Sequence, residues 1–208
     1  SINQGVIHAL KGRIIGFGVP PTSPETGYGY IESSRELSEH NPASNVERFI
    51  EKPDIVKAKK FIKNKNFSWN SGIFMFKAST LIREMHSYAP DILGICRSAL
   101  SEGKKDYDFQ RIDSEIFRTC PNCSIDVSIM EKTNLATVVR LNCGWNDLGS
   151  WKAIYENSDH DINKNTLKGK TYIKDVEKSY IRSESRLIAC VGITDMIVIE
   201  TDDAILVA

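Results

Sequence analysis

"VERFIEKPDIVKAKKFIKNK", residues 46–65, holds the reading that decides the fold. Residues 46–50, "VERFI", read as a strand. Pro53 and Asp54 then open a helix in which Ile55, Ala58, Phe61 and Ile62 share one face. A strand that runs straight into an amphipathic helix is the unit of a layered α/β fold. The same alternation extends outward in both directions. "RIIGFGV" (13–19) reads as a buried strand stopped by Pro20, Pro21 and Pro24, and "TGYGYIE" as a second extended piece. "GIFMF" (72–76) and "ATVVRL" (136–141) are further apolar strands. Helical spacing covers residues 79–87, 92–102 and 107–118, with a break at Pro90, and "GSWKAIYE" starts another helix. After about residue 158 the helical period ceases. "TYI", "SYIRS", "RLIACVGI", "MIVIET" and "AILVA" are short strands at regular spacing. They predict a small sandwich, a barrel or a β-helix, a left-handed β-helix among them. The expected division is therefore residues 1–158, α/β, and residues 159–208, β-rich.

The totals exclude several function classes. Lys plus Arg and Asp plus Glu number 27 each among 208 residues, so no bulk field attracts nucleic acid or an anionic membrane. No apolar run approaches spanning length and no export signal opens the chain, which predicts a cytoplasmic protein. Five cysteines, an odd and sparse set, read as reduced thiols. "CPNC" (120–123) has the spacing of a metal knuckle but lacks a second pair, and reads as a loop.

Four stretches carry candidate chemistry. In "PETGYGYIE" (24–32), Gly27 and Gly29 flank Tyr28; glycine here marks either a β-bulge or a close approach to the backbone. "FIEKP" (49–53) sets Glu51 beside Lys52 at a strand end, where ligands of α/β sheets bind. A carboxylate accepts from sugar hydroxyls and an ammonium neutralises phosphate, although the two also suit a solvated surface pair. "WNSGIF" (69–74) places Asn70 at the start of a buried strand, as a polyol ligand or a turn residue. "GWNDLGSW" (144–151) holds Asp147 between Trp145 and Trp151, which would exclude water on either side. Spacing alone leaves Asp147 as a ligand for Mg²⁺ or as the cap of the helix that starts near Ser150.

In this order, the four stretches resemble the bacterial mannose-1-phosphate guanylyltransferases, also called GDP-mannose pyrophosphorylases. "SIDVSIMEK" (124–132) and "VIETDDAILVA" (198–208) match the same pattern. The resemblance implies a Rossmann-like nucleotidyltransferase fold and a reaction of mannose 1-phosphate with GTP to give GDP-mannose and pyrophosphate, with Mg²⁺ as cofactor. It implies that Tyr28, the Gly29 backbone, Glu51 and Asn70 border the sugar. Lys52 contacts the sugar phosphate, and Asp147 is one of two metal carboxylates; Lys52 and Asp147 are thus the catalytic candidates. Partners are the small molecules GTP and mannose 1-phosphate, with a homo-oligomer left open. The family's glycine-rich nucleotide loop, "GGxGxRLxP"-like, and its second metal carboxylate do not occur in these residues. The chain therefore resembles a fragment, expected on its own to be inactive and to present an open sheet edge and a bare apolar face. Two rival readings stand beside this one: a nucleotidyltransferase for another sugar 1-phosphate, of glucose type, and a non-catalytic sugar-phosphate-binding module.

Overall fold

The computed structural model describes residues 1–208. Asp54 caps helix α2 (Ile55–Phe61), its carboxylate accepting from the Lys57 amide at 2.8 Å, and the strand before it is β3 (Ala43–Ile50). The deciding stretch thus folds as its residue types dictate. The chain forms two compact units, Ser1–Trp145 and Asn146–Ala208.

The first unit is built around five strands: β1 (Ile14–Val19), β2 (Tyr30–Ser33), β3, β4 (Phe67–Met75) and β7 (Ala136–Arg140). β1 runs antiparallel to β4 and parallel to β7; β2 lies between β4 and β3; and β3 returns to β7. The order β1-β4-β2-β3-β7 therefore closes on itself as a barrel. β3 makes closure possible by serving two neighbours, Ala43 to Asn45 against β7 and Val46 to Ile50 against β2. In place of the expected open edge, β1, β2, β4 and β7 each have a neighbour on both sides along part of their length, and β3 passes from one neighbour to the other. Apolar side chains of Ile14, Ile31, Phe49, Ile129 and Val138 fill one core cluster. Arg13 staples the ring, donating to Thr137 Oγ1, Asn45 Oδ1 and the Ala136 and Asn134 carbonyls at 2.8–3.1 Å.

Helix α1 (Ile2–Leu10) was not anticipated by the sequence. Gly5 in its middle lowers helix propensity, and the packing explains that glycine. A Cβ there would lie 2.8 Å from the ζ carbon of Phe17, so α1 approaches the ring too closely for a side chain. Helices α3 (Ala78–Tyr88) and α4 (Pro90–Ser101) fall on either side of the expected break, with Pro90 as the first residue of α4. The helix expected over 107–118 is corrected. β5 (Lys104–Asp106) and β6 (Phe109–Arg111) form a hairpin, and only α5 (Ser114–Arg118) is helical, capped by Asp113. Tyr107 turns the hairpin at φ 52°, a local conformation that side-chain periodicity does not report.

The second unit starts with α6 (Trp151–Glu156) and continues in short strands: β8 (Thr166–Lys168), β9 (Thr171–Lys174), β10 (Tyr180–Ser183), β11 (Ile188–Val191), β12 (Ile197–Glu200) and β13 (Ile205–Val207). β8, β10 and β12 pair in parallel, as do β9 and β11, and β13 closes antiparallel on β12. Thr171 pairs with Ile188, Glu177 with Thr194, and Tyr180 with Ile197, each seventeen residues further on. Equal offsets on three successive segments are the mark of a coil, so the β-rich element is β-helical rather than a sandwich or barrel. Val176, Ile181, Cys190 and Val198 fill its interior. No helix in the chain is long and apolar enough to cross a membrane.

Candidate functional site

Glu51 and Lys52 lie where β3 ends, and the chain turns sharply there. Lys52 has φ 47°, a left-handed conformation rare for a side-chain-bearing residue and often retained at functional positions. The turn sets the two charges together: Lys52 Nζ lies 3.7 Å from Glu51 Oε1, the lysine mostly exposed and the glutamate half-buried. Gly29 sits against this pair. A Cβ on Gly29 would be 2.7 Å from Glu51 Oε2 and 3.2 Å from Asn70 Cβ, so only glycine leaves backbone, carboxylate and amide in mutual contact. Close approach is therefore the reason for this glycine, and β2 begins only at Tyr30.

Asn70 is buried on β4 and its amide orientation is determined from both ends. Its Nδ2 donates to Asp126 Oδ1 at 2.9 Å, and its Oδ1 accepts from the Gly72 amide at 3.1 Å. The Asn70 amide nitrogen also donates to the Gly29 carbonyl at 2.8 Å. Burial pushes the Glu51 carboxyl above its ordinary range, Asp126 and Glu131 add to the rise, and Lys52 opposes it. Tyr28 turns its ring into an aromatic group, edge-on to Trp69 at 5.2 Å and to Trp145 at 5.7 Å. Gly29, Glu51, Lys52 and Asn70 are thus brought together, with Tyr28 next in the chain. A hollow of 260 Å³ beside Pro20, Pro21, Phe67 and Arg140 contains none of them. Asp126 and Glu131, in a stretch that the resemblance already covered, were not assigned a role by sequence. They reach the site through a wide helical turn that residue spacing alone does not reveal.

Asp147 belongs to the second unit and is exposed. The expected exclusion of water from Asp147 is corrected by its exposure; the Trp145 ring meets Tyr28, and the Trp151 ring meets Tyr180 at 6.0 Å. The capping alternative is also decided. Ser150 caps α6, its Oγ accepting from the Ala153 amide at 3.1 Å, so the Asp147 carboxylate is not needed there. Asp147 Oδ1 accepts from the Gly149 amide at 3.0 Å, and Leu148 takes a left-handed φ of 49°. A Gly149 Cβ would lie 2.7 Å from Oδ2. An exposed carboxylate braced by its own loop suits Mg²⁺, which uses one or two carboxylates together with phosphate oxygens and water.

Comparison with known proteins bears on the family and the fold. Residues 6–164 match the nucleotidyl transferase family, and residues 173–208 match the MannoseP isomerase/GMP-like beta-helix domain. The chain is 39% identical over its whole length to a mannose-1-phosphate guanylyltransferase of Escherichia coli, covering 45% of that protein. It is 40% identical over 96% of its length to the alginate biosynthesis protein AlgA of Pseudomonas aeruginosa, covering 42%. Among solved structures, a Thermus thermophilus protein described as a mannose-1-phosphate geranyltransferase superposes with a TM-score of 0.82 at 25% identity, over 100% of this chain and 59% of that one. The chain spans a little under half the length of the curated relatives it matches. With the sheet, the coil and these matches in agreement, the chain belongs to the nucleotidyl transferase family.

Proposed function

We propose that this chain carries the sugar-phosphate side of a mannose-1-phosphate guanylyltransferase, which joins mannose 1-phosphate to GTP and releases pyrophosphate. The observation that carries this reading is the convergence of the Gly29 backbone, the Glu51 carboxylate and the Asn70 amide beside the Lys52 ammonium. Glu51 accepts hydrogen bonds from sugar hydroxyls, and Asn70 offers both a donor and an acceptor. Lys52, at the rim, neutralises the sugar phosphate and aims its oxygen at the α-phosphorus of GTP. Catalysis here is positioning and charge stabilisation, with no covalent bond to the protein. Asp147 would hold Mg²⁺, which neutralises charge on the transferring phosphates. In this reading residues 1–158 belong to the nucleotidyltransferase domain and residues 159–208 form the β-rich element, and the enzyme works in the cytoplasm.

Support for mannose in particular comes from the names of the relatives at about 40% identity. The test is pyrophosphate release by the full-length protein with GTP, comparing mannose 1-phosphate with glucose 1-phosphate and N-acetylglucosamine 1-phosphate. Preference for either of the latter would replace the mannose reading. Calorimetric binding of mannose 1-phosphate without binding of GTP would favour the non-catalytic module.

A further inference from the structure

The stretch "SIDVSIMEK" forms a single wide turn, residues Asp126–Met130, in which the Glu131 amide donates to the Asp126 carbonyl at 2.9 Å. This five-residue spacing is that of a π-turn, a rare form that occurs mostly as single turns and frequently at functional sites. Ile129 and Met130 stay buried, at 1% and 2% exposure, in the cluster that the strands share with α3 and α4, while Asp126 and Glu131 reach Asn70 and Glu51. Each acid holds one of them. Asp126 Oδ1 accepts from Asn70 Nδ2 at 2.9 Å, and Glu131 Oε1 accepts from the Glu51 amide at 3.3 Å.

We infer that Asp126 and Glu131 are positioning residues for the sugar subsite, Asp126 orienting the Asn70 amide and Glu131 steadying the strand end that carries Glu51. The inference rests on the proposed sugar-phosphate reading and deepens it. Asn70 Nδ2 has two N–H groups. With one committed to Asp126 and Oδ1 taken by the Gly72 amide, the side chain cannot flip, and its second N–H is held in one direction for a ligand oxygen. Without Asp126 a buried N–H of Asn70 would lose its partner, and only the Gly72 amide would hold the side chain. Asp126 also has an electrostatic effect. Of the charges that face Glu51, Asp126 and Glu131 oppose its ionisation while Lys52 favours it. Replacing Asp126 by a neutral residue must therefore lower the pH at which Glu51 ionises.

The experiment uses the full-length protein and compares Asp126→Ala with Asp126→Asn. Asp126→Ala should raise KM for mannose 1-phosphate by roughly tenfold, the cost of one buried unpaired amide, and leave KM for GTP unchanged. Asp126→Asn keeps an oxygen to accept from Asn70 and should restore KM near neutral pH. It should nevertheless shift the acid limb of kcat/KM for mannose 1-phosphate to lower pH, which a purely structural role would not do. An unchanged KM for mannose 1-phosphate in the alanine variant would overturn the inference. So would equal losses for both substrates. Should the alanine variant fail to fold, an unmoved acid limb in the asparagine variant overturns it instead. A wild-type protein that does not use mannose 1-phosphate would refute the underlying function as well, and that outcome is visible before any variant is made.

Discussion

At the residue scale, Glu51 and Lys52 stood out at a strand end but equally suited a surface pair, and the resemblance alone assigned roles to them and to Asn70, which lies inside β4 rather than at its start. Asp126 and Glu131 were not legible, because their contribution depends on an extra residue in a helical turn and on contacts far away in sequence. Asp147 was legible as a carboxylate in a constrained loop, and to that constraint the loop's own backbone contributes, through the Gly149 amide and the left-handed Leu148. Asp147→Asn in the full-length protein should leave the fold intact and cost at least about 3 kcal/mol of transition-state stabilisation, roughly a hundredfold in kcat. Near-normal kcat with a titration of Mg²⁺ unchanged from wild type would remove Asp147 from the metal. Lys52→Ala should impair use of the sugar phosphate while GTP affinity holds. Lys52→Arg should rescue only in part, since a planar fork does not replace a compact ammonium. Steady-state kinetics with each substrate varied in turn distinguishes these outcomes.

At the scale of elements, most strands declared themselves through apolar runs and flanking turns. Two segments did not. α1 carries a glycine demanded by tertiary packing, and the β5–β6 hairpin turns on a left-handed tyrosine. The coil of the second unit was legible as evenly spaced strands, and pairing revealed the common offset. Its least expected feature is Glu200, a carboxylate at 2% exposure on β12. It accepts from the amides of Glu184, Ser185 and Arg186 and from Ser185 Oγ, at 2.6–3.2 Å. These donors, the Ser185 hydroxyl first among them, hold its pKa down to about 2. A depressed folded-state pKa stabilises the fold above the unfolded-state value and is lost as pH falls through the folded one. Glu200→Gln should therefore lower the denaturation midpoint most at neutral pH. The difference from wild type should persist down to about pH 4.5 and close as pH approaches about 2. A difference independent of pH would mean that shape rather than charge matters at this position.

At the scale of the whole molecule, the sequence led to the expectation of an open sheet edge and a bare apolar face. The barrel closes, yet α1 presents Ile2, Val6 and Leu10 to solvent along one stripe, at 65%, 41% and 62% exposure. Contiguous apolar surface promotes association, so the 208-residue chain on its own should self-associate. Light scattering should show the association weakened by Val6→Lys with Leu10→Lys; an unchanged particle size would place the contact elsewhere. Barrel closure also has a consequence for synthesis. β1 leaves the ribosome well before its parallel partner β7, the last strand of the ring. With translation at about 5–20 residues per second, Ile14, Ile15 and Phe17 wait roughly 6–25 s for β7. Until β7 arrives, the edge of β1 that it covers lacks its backbone partner even when β4 has paired on the other side, which leaves the nascent chain open to attack. Ribosome-bound chains stalled before Ala136 should remain sensitive to protease, and those stalled well beyond Arg140 should become resistant in a single step.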